Sequence, residues 1–193
     1  MDHIKGNILN IDKKTWTKGI LIIEKGMITD IVPDNDVPDR FIIPGLVDAH
    51  IHIESSMLTP YNFARKALTF GTVATVSDPH EIANVCGMEG VEYMLENAKG
   101  AGLRFFFGAP SCVPATNFET AGATLNADDV DDLLERDDIL YLSEMMNYPG
   151  VIHDDPEVMK KIGSAKKHQK PVDGHAPGLS GEDAVKYINT GIT

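Results

Sequence analysis

Two histidines, separated by one residue, are the first feature of this chain that could do chemistry. His50 and His52 lie in the stretch DAHIHIESS, directly after the apolar run FIIPGLV. Side chains alternate faces along a β-strand, so residues i and i+2 point the same way. Two imidazoles held in this way can both bind a divalent cation at about 2.0–2.1 Å. Because the carboxyl ends of parallel strands carry the chemistry in α/β folds, the pair predicts part of a metal site.

Two further ligand types follow other apolar runs. Glu144 lies at the end of ILYLSE, and His175 follows PVDG, each where a predicted strand gives way to a loop. Parallel strands would bring these ends together, so we predict four metal ligands, His50, His52, Glu144 and His175, with the carboxylate bridging two cations. The alternatives are a chance His-x-His pair, a solvated surface acid and a structural loop histidine.

Weaker candidates lie on the segments that follow the predicted strands. They would orient the metal ligands through hydrogen bonds or contact a substrate. The first group comprises His80, Glu81, Glu54 and Ser55; the loop after the third strand adds Ser111, Cys112 and Asn117 as candidate lining of a base pocket. The alternatives are that Asp78 and Pro79 simply cap the segment that begins near His80, and that the other residues reflect ordinary loop polarity.

The elements that must position these residues alternate along the chain. Apolar or β-branched runs predict five strands, at residues 45–50, 72–77, 103–108, 139–143 and 171–174. Capped or periodic stretches between and after them predict helices, at residues 59–70, 88–102, 126–138, 155–170 and 180–191. The repeat of about 30 residues is that of a βαβ unit, which implies parallel strands with helices outside them.

The first part of the chain has a different pattern. The runs NILNI, GILIIE and MITDIV, separated by turn residues, predict a small antiparallel sheet before Pro44-Gly45. We therefore predict an N-terminal β segment at residues 1–43 and an α/β domain at residues 44–193. A closed eight-unit barrel needs about 250 residues. About five units, ending in the first residues of a sixth strand, predict an incomplete TIM-like barrel, with an open α/β sheet as the alternative.

Charge and hydropathy exclude some partners. The chain of 193 residues carries 17 Lys and Arg against 29 Asp and Glu, a net charge of −12, which disfavours a nucleic-acid polymer as partner. No apolar run approaches the ~20 residues of a membrane span, and the first residues lack the pattern of a signal peptide. We therefore expect a cytoplasmic protein that does not bind membranes. The two cysteines have no metal-type spacing, so reduced thiols are expected.

Several long motifs resemble a known family. PGLVDAHIHIESS is similar to the first-strand signature of the amidohydrolase superfamily. The stretches GTVATVSDPHEIANV, PSCVPATNFETAGATL, LSEMMNYPGVI and DGHAPGLSG resemble the microbial adenine deaminases, and the similarity runs from about residue 3 to the last residue. Most of the superfamily has a carboxylated lysine on the fourth strand. ILYLSEMM contains no lysine, and glutamate there is the pattern of a subset.

The resemblance implies a (β/α)₈ barrel, two divalent cations and hydrolysis of adenine to hypoxanthine and ammonia. The cations would be Mn²⁺ or Fe²⁺, with Zn²⁺ possible, and His50, His52, Glu144 and His175 match family metal ligands. The remaining family ligands and the proton-carrying aspartate would lie beyond residue 193, so the sequence resembles an N-terminal fragment of a homo-oligomeric enzyme. The alternatives are another cyclic-amide hydrolase, of the dihydroorotase or hydantoinase type, and an inert, self-associating fragment.

Overall fold

The chain folds into two compact units. The computed structural model describes residues 1–116 and 118–193, so the candidate Asn117 lies outside the described residues. The first unit is Met1–Gly45 and the second is Leu46–Thr193, a division two residues beyond the predicted one. All residues predicted for the site, apart from Asn117, belong to the second unit.

The first unit is a four-stranded sheet in the order β3-β2-β1-β4. Its strands are β1 Asp2–Asn10, β2 Thr15–Glu24, β3 Met27–Pro33 and β4 Phe41–Ile42. The pairs β1–β2 and β2–β3 are antiparallel, as the sequence predicts, whereas the short β4 runs parallel to β1. The β2–β3 turn contains Lys25 and Gly26 at positive φ, a conformation that glycine adopts without steric cost.

The second unit contains a parallel sheet whose strands follow each other in chain order, β5-β6-β7-β8-β9. The strands are β5 Leu46–Ile51, β6 Thr72–Ser77, β7 Arg104–Ala109, β8 Ile139–Met145 and β9 Val172–Gly174. All four neighbouring pairs are parallel. Sequential parallel strands joined by helices are the front part of a barrel, so the predicted fold class and its five βα units are confirmed.

Helices connect these strands. They are α1 Pro60–Ala67, α2 His80–Ala98, α3 Ala127–Glu135, α4 Tyr148–Ile152, α5 Pro156–Lys167 and α6 Gly181–Asn189. The prediction placed the second helix from residue 88, which was wrong at its start. Helical structure already begins at His80 and is interrupted at Gly87, whose φ of 62° and ψ of −144° kink the chain. The short α4 was not predicted.

Local signals explain where the other helices begin. The Asn126 side chain accepts hydrogen bonds from the N–H groups of Asp128 and Asp129, and the Asp129 side chain accepts from the N–H of Asn126, a complete capping box. Asp155 caps α5 in a similar way through the N–H groups of Glu157 and Val158. Such caps satisfy backbone donors that have no partner within the helix.

One core holds the second unit together. The inner faces of α3 and α5 contribute fully buried Val130, Leu133 and Ile162, which pack with β8 residues such as Leu142. The outer edge of β9 pairs at one point, Val172 with Ile192, as expected for the start of a sixth strand. Within residues 1–116 and 118–193, no helix is long and apolar enough to cross a membrane.

Candidate metal centre

The four predicted ligands converge at the carboxyl ends of the strands. His50 lies on β5, His52 just after it, Glu144 near the end of β8 and His175 just after β9. The Nε2 atoms of His50 and His52 are 3.2 Å apart. His50 Nε2 contacts Glu144 Oε1, and His52 Nε2 lies 3.1 Å from the same oxygen. The structure thus brings Glu144 to the two histidines, which precede it by more than 90 residues in the sequence.

Glu144 is the centre of this arrangement. Its Oε1 atom faces His50 and His52, whereas its Oε2 atom lies 3.2 Å from Nδ1 of His175. The Glu144 side chain is only 4 % exposed, while His50 and His175 are about half exposed. A buried carboxylate is costly unless cationic partners compensate its charge. Both oxygens of this carboxylate therefore point toward ligand-type nitrogens, the arrangement of a bridging group.

The donor set fits a divalent cation. Two atoms bound to one ion at about 2.0–2.1 Å, with angles between octahedral and tetrahedral, stand about 2.9–3.4 Å apart. The His50–His52 nitrogen separation of 3.2 Å and the His52–Glu144 separation of 3.1 Å lie within this range. Ligand atoms of His50, His52 and Glu144 lie within 4.8 Å of one another, and those of His52, His80 and Glu81 form a second such group.

Oxygen atoms of neighbouring residues lie near Nδ1 of both His50 and His52. The Nδ1 atom of His52 lies 3.1 Å from the carbonyl oxygen of Asp78, and Nδ1 of His50 lies 3.8 Å from Oδ2 of Asp173. A histidine whose Nδ1–H is held by an oxygen keeps Nε2 as the free acceptor, the form that binds metals. The first contact fixes the His52 ring with Nε2 toward Glu144. The longer second contact supplies a negative charge beside His50.

The stretch after β6 adds a second polar pair. Nδ1 of His80 lies 2.9 Å from Oδ2 of Asp78, and the His80 ring packs edge-on against His52 with ring centres 4.5 Å apart. Burial lowers the pKa of His80, but the hydrogen bond and negative charge of Asp78, together with Glu144 and Glu81, outweigh it and raise that pKa above its ordinary value. Asp78 Oδ1 is buried and has no hydrogen-bond partner among the described residues.

Glu54, Ser55 and Glu81 join the loop after β5 to the start of α2. The Ser55 hydroxyl donates to Glu81 Oε1 at 2.7 Å, and the Ile82 N–H donates to Glu54 Oε1 at 3.2 Å. Burial raises the pKa of Glu54, and the nearby Glu81 and Asp78 charges act in the same direction. Its Oε2 atom is buried without a hydrogen-bond partner in the described part of the chain. These contacts support the β6–α2 junction, where His80 begins its helix.

Two weaker candidates lie on the loop after β7, where the sequence places them, but their side chains are buried. Ser111 and Cys112 are 2 % and 4 % exposed and lie against β8, where Ser111 Oγ donates to the Glu144 carbonyl at 2.6 Å. They also line a cavity of about 270 Å³ together with Lys161. Sequence reasoning missed Asp173 as a neighbour of the site and treated Asp78 only as a cap. Both could have been found from the sequence, because each is an acid at or just after the end of a predicted strand.

Parallel βα units that carry these ligand types at their strand ends define the class of the chain. Residues 41–193 match the family described as "Amidohydrolase family", so the chain belongs to the amidohydrolase family.

The sequence is similar to curated proteins named adenine deaminase. It is 55 % identical to the adenine deaminase of Methanosarcina barkeri (strain Fusaro / DSM 804) over 193 residues, all of this chain and 35 % of the relative. It is 52 % identical to that of Salinibacter ruber (strain DSM 13855 / M31) over 189 residues, 98 % of this chain and 35 % of the relative. The chain thus spans about a third of the length of the curated relatives it matches.

Solved structures share the fold at low sequence identity. A variant of atrazine chlorohydrolase TrzN from Arthrobacter aurescens TC1, complexed with zinc and atraton, superposes with a TM-score of 0.67 at 15 % identity, over 99 % of this chain and 58 % of that one. 5-Methylcytosine deaminase from Klebsiella pneumoniae, liganded with 5-fluorocytosine, gives a TM-score of 0.59 at 12 % identity, over 98 % of this chain and 55 % of that one. These likenesses confirm the barrel-type fold.

Proposed function

We propose that this chain supplies the metal-binding strands of an adenine deaminase, which hydrolyses adenine to hypoxanthine and ammonia and so serves purine salvage. The observation that carries the proposal is the Glu144 carboxylate, whose two oxygens face His50 and His52 on one side and His175 on the other. The identity of 50 % or more to adenine deaminases over nearly the whole chain supports the substrate. Because the chain spans 35 % of their length, the complete reaction is part of the proposal.

We further propose that His50, His52, Glu144 and His175 hold two divalent cations, Mn²⁺ or Fe²⁺ in preference to Zn²⁺. Imidazole and carboxylate ligands suit all three ions, and the preference follows from the family resemblance. When bound, such cations supply Lewis-acid activation of water for attack on the purine ring. The buried carboxylate contributes the negative charge that would hold two cations close together.

His80 and Asp78 are proposed to handle a proton near the substrate. Asp78 engages Nδ1 of His80, so Nε2 is the ring atom that can exchange a proton with a bound base. The carboxylate also fixes the orientation of the ring. Glu81 and Glu54 are proposed to orient this pair and the adjacent ligands, through the contacts with Ser55 and the α2 backbone.

A second candidate function is hydrolysis of another cyclic amide, as in dihydroorotases or hydantoinases. Those relatives of the superfamily use a carboxylated lysine where this chain has Glu144, and ILYLSEMM offers no lysine. The position of Glu144 between the histidines therefore favours the deaminase. Substrate profiling with adenine, dihydroorotate and hydantoin separates the two functions.

The test is deamination by purified protein loaded with Mn²⁺ or Fe²⁺. Hypoxanthine is measured by chromatography and ammonia by a coupled assay, both for this 193-residue chain and for a chimaera in which it replaces the matching part of the Methanosarcina barkeri adenine deaminase. We expect turnover by the chimaera and its loss in Glu144→Gln, which keeps the shape of the side chain but removes its charge. A folded, metal-loaded chimaera that releases no ammonia from adenine would refute the proposal.

Experiments on the 193-residue chain alone also test the alternative that it is an inert, self-associating fragment. Long apolar side chains of β5 are exposed, Leu46 at 52 % and Val47 at 57 %, which favours association of the isolated chain. Light scattering that reports a monomer at high concentration would contradict self-association. Homo-oligomer formation, a cytoplasmic location and the absence of nucleic-acid and membrane partners stay predictions from the sequence.

A further inference from the structure

The last two residues of β8 carry carbonyl groups that side-chain hydroxyls contact from two sides. Ser111 Oγ, on the loop after β7, donates to the Glu144 carbonyl at 2.6 Å. The Tyr187 hydroxyl, on α6, donates to the Met145 carbonyl at 2.7 Å. We name these two groups the hydroxyl pair. They reach one short stretch of backbone from sequence separations of 33 and 42 residues.

Tyr187 also connects β8 to the segment after β9. The same hydroxyl that donates to Met145 accepts a hydrogen bond from the His175 N–H at 2.9 Å. One oxygen atom therefore joins the backbone next to Glu144 with the backbone of His175, the two residues whose side chains meet at 3.2 Å. The hydroxyl uses both its donor and its acceptor capacity, and burial raises the pKa of Tyr187 to about 12, so it stays protonated.

The hydrogen bonds of Tyr187 lie where the backbone pairing between β8 and β9 is irregular. β9 has only three residues, and its pairing with β8 shifts register between Leu142 and Met145. Where the regular ladder is interrupted, hydrogen bonds from side chains satisfy backbone groups and hold the two strand ends at a fixed spacing. A Cβ atom added at Gly174 would stand 3.1 Å from the Tyr187 hydroxyl oxygen and 2.6 Å from Ile192, so glycine leaves room for Tyr187.

Ser111 is itself held in place from the other side. Its carbonyl accepts a hydrogen bond from Lys161 Nζ at 3.0 Å, and Lys161 also donates to the Leu125 carbonyl at 2.7 Å. Ser111, Lys161 and Leu125 are all less than 10 % exposed. Buried contacts of this kind keep their geometry because a displacement leaves a polar group without a partner.

We propose that the hydroxyl pair, Ser111 and Tyr187, positions the Glu144 carboxylate between the histidines by fixing the backbone at the end of β8, and that Tyr187 sets its distance to His175. This inference rests on the proposed metal centre and adds two positioning residues to it. Neither hydroxyl touches a ligand atom. They act through the main chain, so their removal changes how cations bind rather than whether the side chains are present.

The test uses Co²⁺ as a spectroscopic probe of the 193-residue chain. Affinity comes from calorimetric titration, and the visible absorption of bound Co²⁺ at saturation reports the ligand geometry. We expect Tyr187→Phe and Ser111→Ala each to weaken Co²⁺ binding by about 10–100-fold, the range found when groups that orient metal ligands are removed. We also expect a changed spectrum at saturation, which a loss of stability alone would not produce.

Matched variants separate this inference from the proposed function. Tyr93→Phe removes a hydroxyl from a half-exposed tyrosine on α2 and should bind Co²⁺ as the unaltered chain does. His50→Ala removes a ligand and should abolish tight binding. If His50→Ala abolishes binding while Tyr187→Phe and Ser111→Ala keep the original affinity and spectrum, the metal centre stands and the role of the hydroxyl pair is refuted. If the unaltered chain fails to bind Co²⁺, or His50→Ala binds equally well, the proposed metal centre fails and this inference fails with it.

Discussion

The buried lysine on α5 gives a quantitative test of how the second unit is held together. Lys161 is 7 % exposed, and its Nζ donates to the carbonyls of Ser111 at 3.0 Å and Leu125 at 2.7 Å. Lys161→Met keeps the length of the side chain but removes both hydrogen bonds. We expect the second unit to lose stability, because two carbonyl groups of the β7–α3 connection then lie buried without this donor.

The size of the effect follows from two opposing contributions. Each buried carbonyl left without a partner costs about 1–3 kcal/mol, or about 2–6 kcal/mol for the two. Removing the amine from a buried site returns part of this cost, because burial of a charged group is unfavourable. We therefore expect Lys161→Met to lower the free energy of unfolding by about 1–4 kcal/mol at neutral pH.

Urea unfolding followed by circular dichroism at the helical band measures this loss. Every helix that the structure describes lies within Leu46–Thr193, so the signal reports on the second unit. Lys160→Met, at the exposed neighbouring position, is the matched control and should change stability by no more than about 0.5 kcal/mol. Equal stability of Lys161→Met and Lys160→Met would refute the assigned role of the buried amine.

The same lysine predicts a dependence on pH whose sign is fixed. Burial lowers the pKa of Lys161 below its ordinary value of 10.5, and nearby acids only partly oppose this. Between the lowered pKa and 10.5 the unfolded chain binds more protons than the folded chain, so this residue makes stability rise with pH. A neutral amine still has two N–H donors for its two carbonyls. The stability difference between the unaltered chain and Lys161→Met should therefore grow as pH rises toward 10.5, and a difference that shrinks would contradict this.

Three further predictions concern packing and surface charge. Gly108→Ala should destabilise the second unit by about 1–3 kcal/mol in urea unfolding, because a Cβ there would collide with Ser143 Oγ and stand 2.6 Å from the Tyr141 ring. Gly163→Ala, in α5 with nothing within 4 Å of the new Cβ, should instead stabilise by about 0.4–1 kcal/mol, and a loss would contradict the open space seen there. Asp131→Asn removes an acid whose pKa the hydrogen bond from Lys167 lowers to about 2. The ionised Asp131 stabilises the fold above the ordinary pKa of 3.8, and this stabilisation is lost as pH falls through about 2. The variant should therefore lack this part of the acid-induced loss of stability. An unchanged acid unfolding profile would contradict the ion pair.

Local pattern was sufficient for much of this fold. Runs of apolar and β-branched residues placed all five parallel strands, with differences of at most two residues at their ends, because a buried strand needs such residues at consecutive positions. The helix that begins at His80 was harder to predict. Gly87 interrupts its dihedral angles, and a kinked helix loses the regular apolar period from which helices are predicted.

The residue types of the candidate metal centre were also visible in the sequence. His50 and His52 share a face through the two-residue period of a strand, and Glu144 and His175 lie at or just after the ends of strands whose carboxyl ends must meet in a parallel sheet. Only the tertiary structure decided which groups hold these side chains in place. Tyr187 reaches Met145 across 42 residues and Ser111 reaches Glu144 across 33, through contacts that depend on how helices pack against strands. Sequence periodicity determines which face a side chain occupies, whereas the partner it meets there depends on the path of the whole chain.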